Sequence, residues 1–380
     1  MTNINQAIFN SVLADHERTP IILGKPRGLT DSITSQYPVH TKLYEQLRVQ
    51  DWTEKEFRFE MCAVEFKKVD PLVAKDMIRT IAWQWETDST AANTLAVILG
   101  SVVSSSEVWT GYQRIADNES IHALTYAKIV QQSFEEPLKV MADVLADKEA
   151  LQRLVVVAAV FERAAISAHR WALFQLAPKL YPLTPREQYL IYDDIFLYLV
   201  ALLIMERVQF SASFGVTFGI CSTNTFIPIG DAVQRIAQDE FEIHVPFGRE
   251  TLTRLVQTDR GAEAFKNNRD IIITMLNEAV EQETNWVDVM HADGHENPGF
   301  GPDDLKAWVY YSAAFPANMF DIVNDVKFPK VTELPLPYMA DRVSLAALQP
   351  SPQEAPSTQY LVNAVERDDE GKTFDTDGLY

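Results

Sequence analysis

At 380 residues, with 47% hydrophobic and 23% charged side chains, the chain can build a sizeable core as one large domain or two. Its 33 basic and 53 acidic residues leave a formal net charge of −20, which argues against a nucleic-acid partner, because phosphate backbones are gripped by clustered cations. Only 14 glycines argue against a β-sandwich or a nucleotide-binding α/β fold, and two cysteines, Cys62 and Cys221, in no metal spacing exclude a disulfide scaffold or a thiolate zinc site. The N-terminus has no basic start followed by an apolar stretch, so no secretory signal is expected. Stretches nearly free of Gly and Pro predict long helices over roughly 70–99, 102–135, 147–178, 185–215, 229–260 and 261–292, with another near 302–325. Lengths near 30 residues fit antiparallel rods in an all-α bundle. Pro182 and Pro185 separate two rods, and Ser222–Gly230 reads as an irregular link. Two segments, Leu154–Phe161 and Ile195–Met205, are apolar on every side and are expected at the bundle centre. The second is too short to span a bilayer, so no membrane is expected and the chain reads as soluble and cytoplasmic. From about residue 346 the sequence turns Pro- and Ser-rich, then acidic, which predicts a body over 1–345 and a flexible tail over 346–380.

Against this apolar background a few carboxylates stand out. Glu206 closes the Ile195–Met205 run, where an unpaired carboxylate costs several kcal/mol. It is either paired with Arg163 or Arg207, or bound to metal. Glu162 in the other apolar segment has Arg163 beside it, and an ion pair suffices there. Glu119 and His122 share a helix face at i, i+3, the spacing of bundle di-metal sites. Asp288 and His291 repeat that spacing without supporting context and are read as coincidence. The separations add weight. Asp88 lies 31 residues before Glu119, and Glu206 lies 34 before Glu240. A path from the middle of one helix to the middle of the next takes about 30 residues at ~1.5 Å each plus a turn. Glu240 is followed by His244. Four helices would thus bring four carboxylates and two imidazoles to one level, a ligand set suited to iron or manganese. Two ferric ions joined by an oxo bridge would be charge-balanced by those carboxylates. Tyr126, four after His122, shares that face, and Phe210, Phe214 and Ile236 are placed to shield it from water.

These residues resemble the radical-generating small subunit of class I ribonucleotide reductase, and its class Ia branch most. The motifs are Asp88 in WETDST, Glu119 to Tyr126 in NESIHALTY, Glu206 in MERVQFSASF and Asp239-Glu240 in IAQDEFEIH, with Trp52 upstream and Tyr360 in QYLV. The resemblance implies a ferritin-like bundle and an oxo-bridged pair of iron ions, with manganese an alternative. It implies a stable radical at Tyr126 and transfer along His122, Asp239, Trp52 and Tyr360 to a separate large subunit that reduces ribonucleotides. It also implies docking through the C-terminal tail, and a homodimer. Two cysteines cannot supply a radical cysteine plus a reducing dithiol, so nucleotide chemistry is expected on the partner. Two departures stand out. Glu240 to His244 is one residue longer than the family's acid-x-x-His, which predicts a π-type irregularity near Phe241. Gln238 stands where many relatives have Arg, which questions the support around Asp239.

Overall fold

The computed structural model describes residues 4–11, 19–30, 33, 35–295, 297 and 299–344. The chain divides after Ser344, and the segment Leu345–Tyr380, with Tyr360 and the expected tail, lies outside the described residues. Among the described residues there is no named strand, only two isolated bridges, and helices fill the body.

Among the described residues thirteen α-helices follow in order: α1 Pro38–Val49, α2 Cys62–Lys68, α3 Pro71–Val102, α4 Ser106–Ser133, α5 Pro137–Ala146, α6 Lys148–Leu176, α7 Pro185–Ile204, α8 Ser211–Cys221, α9 Ile227–Asp239, α10 Val245–Val256, α11 Asp259–Met290, α12 Pro302–Met319 and α13 Met339–Val343. Local chemistry fixes the starts of the long ones. Asp70 caps α3 by accepting from the Leu72 amide at 2.8 Å, with Pro71 at the first helical position. Thr184 and Glu187 form a reciprocal capping box ahead of α7, and Thr258 caps α11. The expected link at Ser222–Gly230 is shorter than the sequence suggested. Phe226 takes a left-handed conformation, and Ile227, Pro228 and Gly230 already belong to the first turn of α9.

Two helix pairs are joined without a loop. Between α7 and α8 lies a π-turn, Met205–Gln209, and between α9 and α10 lies another, Glu240–His244. The composite rod from Pro185 to Cys221 is long and apolar enough to cross a membrane by length and composition, yet its most apolar 18-residue stretch is 94% buried inside the protein, and only the first turns of the rod, up to Asp194, are mostly exposed or half-buried. Every residue from Ile195 to Met205 is buried, so this is the central core helix the sequence predicted.

The expectation for Leu154–Phe161 is overturned. Val155 is 60% exposed, and Ala158 and Ala159 are exposed as well. α6 buries Arg153, Val157, Val160, Phe161 and Ala164 on the stripe facing α3, α7 and α11, and turns Val155 and Ile166 outward. An all-apolar composition is necessary for a central helix but does not supply neighbours on every side.

Candidate metal centre

Four rods deliver the site: α3 brings Asp88, α4 brings Glu119, His122 and Tyr126, the first π-turn brings Glu206, and the second brings Glu240 and His244. Asp88 and Glu119 sit near the middle of adjacent rods, as the chain separations required. All six acid and imidazole groups are buried, with exposures from 0% to 5%.

Their ligand atoms fall into two groups that share Glu119. One comprises Asp88, Glu119 and His122, the other Glu119, Glu206, Glu240 and His244, with all atoms of a group within 4.8 Å of one another. His122 Nδ1 lies 3.1 Å from Glu240 Oε1 and 3.6 Å from Glu119 Oε2. His244 Nδ1 lies 3.0 Å from both Glu119 Oε1 and Glu240 Oε2. Both oxygens of Asp88 and of Glu119, Oε2 of Glu206 and Oε1 of Glu240 have no hydrogen-bond donor. Orphaned buried carboxylate oxygens are rare in proteins unless a cation satisfies them. The residues therefore fit a pair of metal ions, one for each group, with Glu119 common to both groups.

The electrostatics agree. Burial first, then the neighbouring carboxylates, hold the Asp88 and Glu206 carboxyls well above the usual range. Burial opposes a charged His244, but Glu240 and Glu119 push it up to about 10. Burial would also raise Glu240, yet the nearby His244, Glu206 and His122 hold it low. Without a cation the crowded carboxylates favour protonation of the cluster, and metal binding would displace such protons.

The outer nitrogens of both imidazoles are fixed. His122 Nε2 donates to Asp239 Oδ2 at 3.1 Å, while His244 Nε2 donates to Asn118 Oδ1 at 2.8 Å. Asn118 Nδ2 donates in turn to Asp239 Oδ2 at 3.0 Å. Each Nδ1 is left facing the carboxylates, which is how second partners orient metal-binding histidines. Asp239 also accepts from Trp52 Nε1 at 2.8 Å and Gln50 Nε2 at 2.6 Å. Burial alone would raise its pKa, but His122 and the Trp52 donor hold it below the ordinary carboxylate value. The Trp52 ring lies stacked on His122 with centroids 5.8 Å apart.

Tyr126 is fully buried and its hydroxyl has no partner. Burial, then Asp88, Glu240 and Glu119, push its phenol well above the ordinary value. Phe210, Phe214 and Ile236 are also completely buried, the two phenylalanine rings stacked at 5.4 Å.

The chain matches the family model for the ribonucleotide reductase small chain over residues 31–320. It belongs to that family. Among its relatives, the ribonucleoside-diphosphate reductase subunit beta of Enterobacteria phage T4 is 21% identical, with 97% of each chain covered. A ribonucleotide reductase R2 subunit from Clostridium botulinum superposes with a TM-score of 0.71 at 16% identity, over 90% of this chain and 99% of that one. The dimanganese(II)-NrdF of Streptococcus sanguinis superposes with a TM-score of 0.61 at 13% identity, over 83% and 98%. The chain is accordingly the small subunit of a ribonucleoside-diphosphate reductase, an oxidoreductase subunit with a large-subunit partner, and its bundle is ferritin-like.

Neither arginine considered for this small subunit's Glu206 pairs with it. Arg207 lies over the Phe241 and Phe315 rings, and Arg163 is 3.6 Å from Asp194. Glu162 is exposed. Asp288 is 2.6 Å from Lys306, and His291 bonds the Val287 carbonyl, away from the cluster. Gln238 does not support Asp239; it donates to the Ser344 carbonyl at 3.1 Å, and Gln50, Trp52, Asn118 and His122 supply what was in question. Gln50 and Asn118 went unnoticed in the sequence. An amide carries no charge to stand out, and the only signal was position, Gln50 two residues before Trp52 and Asn118 beside Glu119.

Proposed function

We propose that this small subunit uses two metal ions, held by Asp88, Glu119, His122, Glu206, Glu240 and His244, to generate a radical at Tyr126 and relay it to the large subunit. When bound, an oxygen-reactive iron pair, or manganese in its place, supplies the oxidising power. The protein's part is to place and isolate the phenol. Tyr126 keeps its proton because burial and three carboxylates oppose a phenolate, so its electron and proton must leave together. Phe210, Phe214 and Ile236, each fully buried, would shield the radical from water.

The observation that carries the relay is the contact of His122, Asp239 and Trp52: imidazole N–H to carboxylate, carboxylate to indole N–H, with the two rings stacked. A di-metal protein that only binds or stores ions has no need of an indole hydrogen-bonded behind a ligand. Tyr360, outside the described residues, would continue the relay, the tail would dock on the large subunit, and the subunit would act as a homodimer in the cytoplasm. The decisive experiment is anaerobic loading with Fe(II) or Mn(II), exposure to air, and electron paramagnetic resonance with metals quantified in parallel. A tyrosyl signal that needs both bound metal and Tyr126 is expected. Metal uptake with an identical signal in Tyr126→Phe would overturn the assignment.

A further inference from the structure

We propose that Trp83 and Arg153 are positioning residues for Glu206: together they grip the backbone carbonyl of Gln209 and so hold the π-turn that aims Glu206 at the ligand cluster. The inference rests on the di-metal reading above.

A π-turn is rare because it widens the helix and disturbs the regular amide-to-carbonyl ladder. At the exit of the first π-turn, four consecutive carbonyls each receive a side-chain donor. Ser211 Oγ donates to Val208 O at 2.6 Å, and Ser213 Oγ donates to Phe210 O at 2.9 Å. Those two serines belong to the same rod and move with it. The other two carbonyls are held from outside. Trp308 Nε1 of α12 donates to Ser211 O at 2.8 Å. Gln209 O receives two donors from two different helices, Trp83 Nε1 of α3 at 2.7 Å and Arg153 Nη2 of α6 at 3.4 Å. Gln209 returns the bond, its Nε2 donating to the Arg153 carbonyl at 2.9 Å.

Arg153 is itself clamped. Its guanidinium lies between the Trp83 ring at 3.7 Å and the Trp286 ring at 4.2 Å, and its Nε donates to Glu283 Oε1 at 3.0 Å. Arg153 is 3% exposed and Glu283 is fully buried. A buried ion pair of this kind stabilises a fold little more than apolar residues of equal volume. What it offers is a planar donor fork fixed in direction, which an apolar side chain cannot provide. Neither Trp83 nor Arg153 hydrogen-bonds a ligand carboxylate, so their effect on Glu206 must pass through the backbone three residues away. Loss of the grip would let the turn regularise, rotating Glu206 by about one residue's share of an α-helix, roughly 100°.

The test uses the full chain with Trp83→Phe, which keeps an aromatic face but deletes the N–H, and Arg153→Lys, which keeps a charge beside Glu283 but loses the fork. Anaerobic Mn(II) titration counts bound ions and their affinities, and amide hydrogen exchange follows residues 205–211 in the metal-free protein. The site built on Glu206 and His244 should weaken about 10–100-fold while the Asp88 and His122 site keeps its affinity, with faster exchange at 205–211. Ile191→Ala, about four turns before the π-turn in the same rod, should lower the melting temperature yet leave both affinities unchanged. Wild-type affinities in both variants, or equal weakening of both sites, would overturn the proposal. If Arg153→Lys does not fold, Trp83→Phe decides alone. A wild-type chain that binds no metal would refute the di-metal reading, and the exchange measurement would still decide whether the grip holds the turn.

Discussion

Asp239 has room for about four hydrogen bonds, and four donors converge on it: Gln50, Trp52, Asn118 and His122. Substituting Asn would aim an amide N–H at one of those donors and leave an unmatched pair, a cost of about 1–3 kcal/mol. Asp239→Asn should therefore still load metal and form the Tyr126 radical but fail in turnover with the large subunit, read by paramagnetic resonance and activity on the same sample. Turnover at the wild-type rate would remove Asp239 from the relay. A second residue gives a pH dependence away from the metal ligands. His40 is fully buried, bonded through Nε2 to Thr251 Oγ1 at 2.9 Å, and burial lowers its pKa from 6.5 to about 4, with Glu250 and Glu107 opposing. The unfolded chain then binds the extra proton first. Stability is fully present above pH 6.5 and is lost as pH falls toward about 4, by about 3 kcal/mol. Urea unfolding of His40→Phe should show a shallower loss over that window, and an unchanged slope would mean His40 is not the group responsible. Glu206 stood out in the sequence because a carboxylate closing an apolar run violates the burial rule, whereas Asp88, Glu119, His122, Glu240 and His244 stood out by their spacings and by the family motifs they sit in. Trp83, Arg153, Gln50 and Asn118 did not, since each conforms to ordinary helix composition until its partners are known.

The two π-turns differ in how far sequence announced them. Glu240 and His244 are one residue too far apart for a regular i, i+3 pair, so an irregularity was expected, and the second π-turn spans those residues. Glu206 has no histidine of its own whose spacing could be wrong, and the first π-turn left no trace in the pattern. Most of the long rods were readable to within about four residues because Pro and caps mark their ends, but the rod expected to stop at 215 runs through Gly215 and Gly219 to Cys221, and the one expected over 302–325 ends at Met319. α6 was misplaced because periodicity reports composition around one helix and is silent about what packs against it. The second π-turn leads to a test by deletion. Removing Glu242 leaves Glu240-Phe241-Ile243-His244, the regular acid-x-x-His spacing, and an extra residue taken out of a π-turn restores the α-helical ladder without rotating either flank. The deletion variant should fold, bind both metals and melt at a higher temperature. Loss of metal at the His244 site would show instead that the wider turn is needed to aim Glu240 and His244.

At the scale of the whole molecule, the proposed relay stops short of the surface. Trp52, its last described member, is 2% exposed, so a further redox group must come to it or lie between it and the large subunit. The chain itself passes nearby: α13 packs on α9, the helix that ends at Asp239, and Gln238 bonds the carbonyl of Ser344, the last described residue. Tyr360 lies sixteen positions after Ser344, a reach of at most about 55 Å if extended. Further on, TFDTDGLY sets Phe374, Leu379 and Tyr380 on an acidic background, a composition that gains little by folding alone and can bury its apolar groups on a partner. The two segments should separate by function. Deleting the last ten residues should abolish binding to the large subunit and leave the Tyr126 radical intact, and a peptide of those residues should compete with the wild-type chain. Tyr360→Phe should bind normally and lose turnover, because phenylalanine is much harder to oxidise and has no phenolic proton to give up. Binding measured by sedimentation and turnover measured on the same preparations distinguish the two roles. Undiminished binding by the truncated chain would rule out the anchor, and normal turnover in Tyr360→Phe would end the relay at Trp52.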